Sequence, residues 1–326
     1  MDIEKILKDN KIDLFKKKVI IAVSGGPDSV CLLYNLNKIK KDYQMDLSVC
    51  HINYRLRGSD SNKDENFVAD LCKKLKISFY LLKPLNLDFY SEDSLRKIRY
   101  DFFEEIKEKI KADFIAVAHN CDDQAETILM NFLRGASVKG LAGMKMRSGS
   151  LIRPLLKTSR KEILHFLEKE KIDYRIDLTN LELDFFRNKI RNGLIPLLEK
   201  EYNCNIKNTL LRSGEVFKNI DDFLESYTEI TLDAMARISD KKIEIDYKMW
   251  ILLPAALKFE SIKLVCLKLA GNLKDLEFAH IKEVVDMLTN KIPFGEKMLL
   301  KNLSIQEKYE KIVVEIKSKT LKTRQG

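Results

Sequence analysis

At 326 residues, 45% of them hydrophobic and 33% charged, the chain is too long for one small domain and too apolar for a disordered one; two domains with buried cores are expected. The formal net charge is +9 and lysine is the default cation, 44 of 58, so the arginines say more: eleven of the fourteen lie between Arg55 and Arg191, which points to a polyanionic partner that needs planar, forked donors. No run approaches a membrane span, Met1–Lys5 opens no signal-peptide apolar segment, and Cys31, Cys50, Cys72, Cys121, Cys204 and Cys266 form no C-x-x-C pair, so a membrane protein, a zinc knuckle and a disulfide framework are excluded and a cytoplasmic protein is expected.

Residues 18–23 are a short β-branched run that predicts a buried strand, and residues 30–36 predict a helix with apolar residues around its first turns. Ser24-Gly25-Gly26-Pro27-Asp28-Ser29 stands between them as a strand-to-helix turn. Gly25 and Gly26 tolerate φ > 0 and close approach, Pro27 suits a first helical turn, and the helix start adds unpaired N–H groups and a positive dipole end. Ser24 and Ser29 add hydroxyl donors, and the six residues read as a phosphate cradle. The cradle is neither a Walker loop, since no lysine follows the glycines, nor a G-x-G-x-x-G turn.

Residues 45–52 predict a second strand running into a polar loop with Arg55 and Arg57; residues 61–75 predict a helix capped by Ser61. A third strand over 77–82 precedes a long amphipathic helix over 92–111, on which Arg96 and Arg99 share a face. The fourth strand, 114–118, ends in His119, and the helix after it opens with Asp122 or Asp123 as its cap. Strands alternating with helices predict a parallel sheet with helices on both faces and ligands at the strands' carboxyl ends. Those ends present residues 24–29, 51–59 and 119–126, the last carrying His119, Asp122, Asp123 and Glu126, three carboxylates able to hold Mg²⁺. The basic, glycine-rich stretch from Arg134 to Met144 reads as a mobile loop, Thr158 or Ser159 as a helix cap, 177–180 as a turn, and Arg187 to Asn192 as the start of a helix stopped by Pro196.

Taken together, these stretches resemble the tRNA(Ile)-lysidine synthase family. The shared set is S-G-G-x-D-S at 24–29, His51 with Leu56-Arg57, Arg96 with Arg99-Tyr100, A-H-x-x-D-D-Q-A-E-T at 118–127, R-G with G-L-x-G-M at 134–144, R-P-L-L at 153–156 and R-N-x-I-R at 187–191, in order over about the first 195 residues. Two positions depart from the family pattern: Tyr54 stands for a histidine and Leu95 for an alanine. The resemblance implies an α/β fold, a parallel-sheet PP-loop domain of the adenine nucleotide alpha hydrolase-like kind over 1–205, then a smaller, mainly helical, tRNA-contacting domain over 206–326. It implies ATP and Mg²⁺, a tRNA(Ile) with a CAU anticodon and free L-lysine, with lysine joined to C2 of the first anticodon cytidine after ATP adenylates that base. Asp28, Arg96, His119, Asp122, Asp123 and Arg191 are then the catalytic candidates. Residues 24–29 and Arg57 would bind ATP, and Asp122 and Asp123 would either hold Mg²⁺ or receive the lysine ammonium. Glu126, Arg99, Arg134, Arg153, Arg187 and Asn188 would contact lysine or tRNA.

Beyond residue 205 no such motif recurs. Residues 206–235, 254–269 and 277–288 predict helices, 241–246 a strand and 298–316 a hairpin, followed by a basic tail of Lys317, Lys319, Lys322 and Arg324. Oligomeric state stays open, a homodimer among the options. Two competing readings remain: a PP-loop tRNA thiolase, for which Cys121 is well placed but unpaired, and a silent tRNA binder, against which the intact 24–29 and 122–127 clusters argue.

Overall fold

The computed structural model describes residues 2–56, 58–84, 91–175, 186–272, 276–292, 295–300 and 302–317. Arg57, the turn at 177–180 and the tail residues Lys319, Lys322 and Arg324 lie outside them. The chain divides into two units, Met1–Lys218 and Asn219–Gly326.

The first unit runs α1 (Ile3–Asp9), β1 (Lys18–Ala22), α2 (Pro27–Ile39), β2 (Asp46–Ile52), α3 (Ser59–Leu75), β3 (Ser78–Leu82), α4 (Glu92–Ile110), β4 (Phe114–Ala116), α5 (Cys121–Leu133), α6 (Val138–Leu141), β5 (Arg147–Ser148), β6 (Leu151–Ile152), α7 (Arg160–Lys169), α8 (Phe186–Lys189), a π-helical turn (Ile190–Leu194) and α9 (Ile195–Glu201). The sheet order is β3-β2-β1-β4-β6-β5, parallel except for β5. Alternation along the strands splits the core in two. Val19, Ile21, Leu47, Val49, Phe114 and Ala116 face α1, α2, α3 and α7, while Ile20, Cys50 and Ile115 face Phe102, Phe103 and Ile106 of α4. The chain steps outward from β1 to β3 and then returns to lay β4 on β1's other edge. The crevice that this reversal opens at the strands' carboxyl ends lies between the β1–α2 and β4–α5 turns.

α10 (Ile206–Met235) begins where the sequence placed its domain boundary and carries the division at 218/219 within it. The second unit continues with β7 (Ala236–Ile238), β8 (Lys242–Asp246), α11 (Tyr247–Trp250), α12 (Ala255–Ala270), α13 (Phe278–Thr289), β9 (Lys297–Leu300), β10 (Leu303–Lys308) and β11 (Lys311–Ile316). The expected helices form, and the expected hairpin, β10–β11, turns out to be the centre of a five-stranded antiparallel sheet, β7-β8-β11-β10-β9. Its inward residues, Ile243, Ile245, Ile305, Ile312 and Val314, pack with Trp250, Ile262, Val265 and Val284. The buried indole N–H donates to Ser261 Oγ at 2.9 Å.

The hairpin turn holds Tyr309 and Glu310 at φ 52° and 57°, the backbone of a type I′ turn without the glycine or asparagine that relaxes it. Relief of one left-handed residue outweighs the extra freedom that glycine gives the unfolded chain, so Glu310→Gly is expected to stabilise the second unit by about 1 kcal/mol in urea denaturation. A lower midpoint would show that the turn is not strained.

Candidate active site

The 24–29 turn is knitted by its own hydroxyls. Ser29 Oγ donates to the Gly26 carbonyl at 2.9 Å and accepts from the Ser24 N–H at 3.1 Å; Ser24 Oγ accepts from the Gly26 N–H at 3.3 Å. Gly25 alone takes the left-handed conformation, φ +96°; Gly26 is extended, caps α2 and places Pro27 in its first turn. Beneath the turn, His51 Nδ1 donates to the Val23 carbonyl at 2.8 Å. His51 is buried, and burial holds its ring below the ordinary histidine range, so it is a neutral brace between β2 and the cradle.

Asn120, not Asp122 or Asp123, caps α5: its side chain accepts from the Asp123 N–H, and Asp123 Oδ2 accepts in return from the Asn120 N–H at 2.9 Å. This reciprocal box turns the rest of the acidic cluster toward cations. Asp123 Oδ1 accepts from Arg191 at 2.7 Å and from Arg187 at 3.0 Å. Glu126, almost wholly buried, accepts from Arg191 Nε at 2.6 Å and Nη2 at 2.9 Å and from Arg187 Nε at 2.9 Å, a forked lattice of two carboxylates and two guanidinium groups. Burial works against the Arg191 charge, but the Glu126 and Asp123 carboxylates overcome it and raise its pKa. Arg191 sits in the π-helical turn, an irregularity that often marks functional sites.

Asp122 points elsewhere. Its Oδ2 accepts from the Arg160 N–H at 3.0 Å and its Oδ1 meets the Lys207 ammonium at 3.0 Å. Burial alone would raise its carboxyl, but the Arg160 N–H and Lys207 outweigh it and hold it below the ordinary range. The Arg160 guanidinium pairs with Asp28 Oδ2 in the cradle. Asp28 Oδ1 is buried with no hydrogen-bond partner within bonding distance among the described residues, and burial pushes this carboxyl up against the pull of Arg160 and of the Asn120 side chain. Arg160 therefore ties the first turns of α2, α5 and α7 into one crevice.

For Mg²⁺, the fit lies at Asp28 rather than at the expected pair. Each oxygen of Asp122 and Asp123 already takes an N–H or a cation, whereas Asp28 Oδ1 is a buried, hard oxygen beside the cradle with no hydrogen-bond partner among the described residues. Among the described residues, the metal-sized acidic group is Asp221, Asp222 and Glu225 on α10, not the α5 cluster.

His119 joins this site, with Asp123, Arg153, Arg187 and Arg96 as the charges that act on it; burial lowers its pKa to about 4, and its Nδ1 has no partner. Arg96 and Arg99 are exposed on α4. Arg96 lies over the Tyr100 ring at 5.3 Å, and Arg99 Nε donates to the Tyr54 hydroxyl at 3.4 Å. Asn188 sits beside Arg187 in α8. Arg134 is exposed, with its guanidinium 5.2 Å from the centre of the Phe186 ring, and Arg153 is buried, donating to the Lys145 carbonyl at 2.8 Å.

The 134–144 stretch, expected to be mobile, is pinned to α5. Gln124 clasps the Met144 N–H and carbonyl at 2.8 and 3.1 Å, and Asn131 donates to the Gly140 carbonyl at 2.7 Å. Gly143, φ +73°, leaves no room for a Cβ against Gln124. Ser61 is likewise not a cap: α3 starts at Ser59 behind Gly58, and the buried Asp64 takes the Arg175 guanidinium at 3.0 Å, with the Arg175 N–H on the Gly25 carbonyl at 2.9 Å. Arg160, Lys207 and Arg175 are site residues that the sequence reading missed; the clustering of arginines before residue 191 was the signal for Arg160 and Arg175.

A phosphate cradle at a helix start, an acidic and arginine-rich second turn beside it and the parallel sheet between define an ATP-using enzyme of the PP-loop class. A PP-loop domain model matches residues 1–198. The tRNA(Ile)-lysidine synthase of Clostridioides difficile is 34% identical over 96% of this chain and 70% of its own length; that of Caldanaerobacter subterraneus is 35% identical over 97% and 71%, and that of Clostridium acetobutylicum 37% over 89% and 64%. The chain belongs to the tRNA(Ile)-lysidine synthase family. The solved structure of the U34-tRNA thiolase NcsA from Methanococcus maripaludis with its 4Fe-4S cluster is similar in fold, with a TM-score of 0.55 and 24% identity over 66% of this chain and 78% of that one.

Unfolded, His119 and His51 take up protons near their ordinary value of 6.5; folded, both resist them, His119 down to about 4. The stability this contributes is complete above pH 6.5 and is lost as the pH falls toward 4. The urea midpoint should therefore fall between pH 7 and pH 5, and His119→Gln should make that fall shallower. An unchanged slope in the variant would exclude His119 as its source.

Proposed function

We propose that this crevice joins the ε-amine of free L-lysine to C2 of the first anticodon cytidine in a CAU-bearing tRNA(Ile), changing the codon read from AUG to AUA. The observation that carries the reading is the Arg160 bridge, which puts the phosphate cradle and the α5 acidic turn in one crevice. In the first step the C2 oxygen of the base attacks the ATP α-phosphorus; an O–P bond forms, the bond to the β-phosphate oxygen breaks, and pyrophosphate leaves. In the second, the lysine amine attacks C2, the C2–O bond breaks and AMP leaves.

The Ser24–Ser29 turn and the α2 N–H groups suit the pyrophosphate, whose charge grows as it departs. Mg²⁺ carried on the phosphates would meet Asp28 Oδ1 and supply further neutralisation there. Arg187 and Arg191, and Arg96 from α4, are cations within reach of an incoming triphosphate or base. Asp122 suits the substrate ammonium, as its pairing with Lys207 Nζ indicates. A carboxylate that captures an ammonium also holds its proton; His119, whose buried Nδ1 has no hydrogen-bond partner among the described residues and whose pKa burial lowers to about 4, is too weak a base to strip that proton and suits an uncharged hydrogen-bond partner of the amine instead.

The thiolase alternative asks for an activated thiol. Burial and the neighbouring Asp122 push the Cys121 thiol up to about 12, which leaves almost no thiolate near neutrality.

Incubation with ATP, radiolabelled lysine and a tRNA(Ile) transcript, followed by nucleoside analysis, should yield labelled lysidine; label absent from the nucleoside, or sulfur in its place, would overturn the reading. Asp28→Ala should lower AMP formation by about 100-fold or more while the far-UV spectrum is unchanged. Near-normal AMP formation by that variant would remove the 24–29 turn as the ATP site.

A further inference from the structure

We propose that Phe186, with Arg134 beside it, is the stacking seat for the adenine that follows the target cytidine in the CAU anticodon. The inference rests on the reading of tRNA(Ile) as the substrate and names a contact that this reading leaves open. Arg134 caps the carboxyl end of α5, and its guanidinium lies over the Phe186 ring, 5.2 Å from the centre. Both side chains are exposed, the phenyl at 40%. An exposed aromatic ring with a cation beside it offers a face on which any nucleobase can lie.

The other cation–ring contacts described in the first unit lack such a face or such a place. Phe114, under Arg147, is buried, and Tyr100, under Arg96, is half-buried in T-shaped contact with Phe103. Phe15, beside Lys16, stands before β1, at the end of the sheet opposite the crevice. Phe186 is tied to the site itself. It directly precedes Arg187, whose guanidinium lies on Glu126 and Asp123, while Arg134 stands at the far end of α5 from that acidic turn. Asp123 and Arg134 are roughly 16 Å apart along the helix axis, so the part of the tRNA within reach is a base close to the one in the crevice.

Charge identifies the occupant as nucleic acid. From Thr127 to Lys161 the chain carries eight lysines and arginines and no carboxylate, and from Phe186 to Leu198 three such cations and again no carboxylate. The end of α5 and the start of α8, which form the seat, lie in these two runs. Phe132 and Leu133, also exposed, are set among the same cations, a surface that suits bases on a phosphate backbone. The chemistry needs such a seat. Reaction at C2 takes the cytosine out of the anticodon stack, and its neighbour loses a stacking partner. Adenine has the larger π-face of a purine and gains most from a phenyl ring in exchange. Arg134 keeps its charge for the phosphate between the two bases.

The test is the affinity of the full chain for a CAU-bearing tRNA(Ile) transcript. Removing the second anticodon base, to leave an abasic site, should weaken binding to the wild type about 10-fold, and Phe186→Ala should weaken binding of the intact transcript by about as much. The two changes together should cost little more than either alone, and losses that multiply overturn the proposal. An abasic transcript that binds the wild type as tightly as the intact one overturns it with no variant needed. Phe186→Trp should keep the affinity, and its indole fluorescence should be quenched by the intact transcript and not by the abasic one; the native tryptophan, Trp250, is buried and gives a constant background. Equal fluorescence with both transcripts overturns the proposal. Arg134→Gln should lower the slope of log affinity on log salt by about one unit while Phe186→Ala leaves it unchanged, and an unchanged slope for Arg134→Gln overturns the part given to Arg134. Lysidine formed by the wild type alongside any of these failures refutes the seat alone; a wild type that forms none refutes the reading beneath it and the seat with it.

Discussion

Three helix N-termini meet in one crevice, and the rest of the catalytic unit is arranged around the charge this creates. Each brings unpaired N–H groups and a positive dipole end. Strand order sets two of them side by side, because β1 and β4 are neighbours and α2 and α5 follow them directly. The third, α7, is drawn in by its first residue, Arg160, through the backbone to Asp122 and through the side chain to Asp28. Such a field asks for anions. Without a nucleotide the anions are the carboxylates of the first turns themselves, Asp28, Asp122 and Asp123, and these in turn hold Arg160, Lys207, Arg187 and Arg191.

A lattice of this kind is costly to break in part. Glu126 is 2% exposed and takes three N–H groups from two arginines. Removing one partner of a buried pair leaves an uncompensated charge and costs about 3–5 kcal/mol, whereas exchanging one anion for another need not. A polyphosphate entering the crevice is such an exchange: cations now on carboxylates have a more highly charged anion to turn to. The ion pairs therefore hold the site's shape while leaving its cations available.

How far the sequence was legible follows the range of the interactions. The β1 turn and α2 could be read because strand, glycines, proline and helix are contiguous, and α10 because its thirty residues carry an unbroken helical pattern. Of the local caps, Ser159 of α7 was one of the two read, while those of α3 and α5 were read two or three residues off. Asn120 wins over the nearby aspartates because Asp123 completes a box from the third position, and α3 starts at Ser59 behind Gly58, which leaves Ser61 inside the helix. The second sheet was half hidden: β8, β10 and β11 alternate visibly, but β7 and β9 are three and four residues long and borrow their conformation from their neighbours. Arg160 and Asp28 are 132 residues apart, and no spacing rule reaches across that distance. Arg153 serves two ranges at once: its guanidinium braces the Lys145 carbonyl eight residues back, and its charge acts on His119.

The same fold can serve more than one nucleophile, and the residues after β4 bear on which one this chain accepts. Cys121 opens α5 next to Asp122, so any thiolate there would form against burial and against a like charge, and its pKa of about 12 records both. The setting that silences sulfur suits a positive nitrogen: the Asp122 carboxylate is held ionised by the Arg160 N–H and the Lys207 ammonium. Binding a cation is only half of what an amine nucleophile needs, since the proton must leave before attack. His119 lies two residues from Cys121, and Asp123, one of the charges acting on it, belongs to the same turn; burial strips the ring of its own charge. One short turn thus disfavours a thiolate, holds the Lys207 ammonium and keeps an uncharged imidazole, and each of these follows from how deeply its side chains are buried beside the carboxylates of α5.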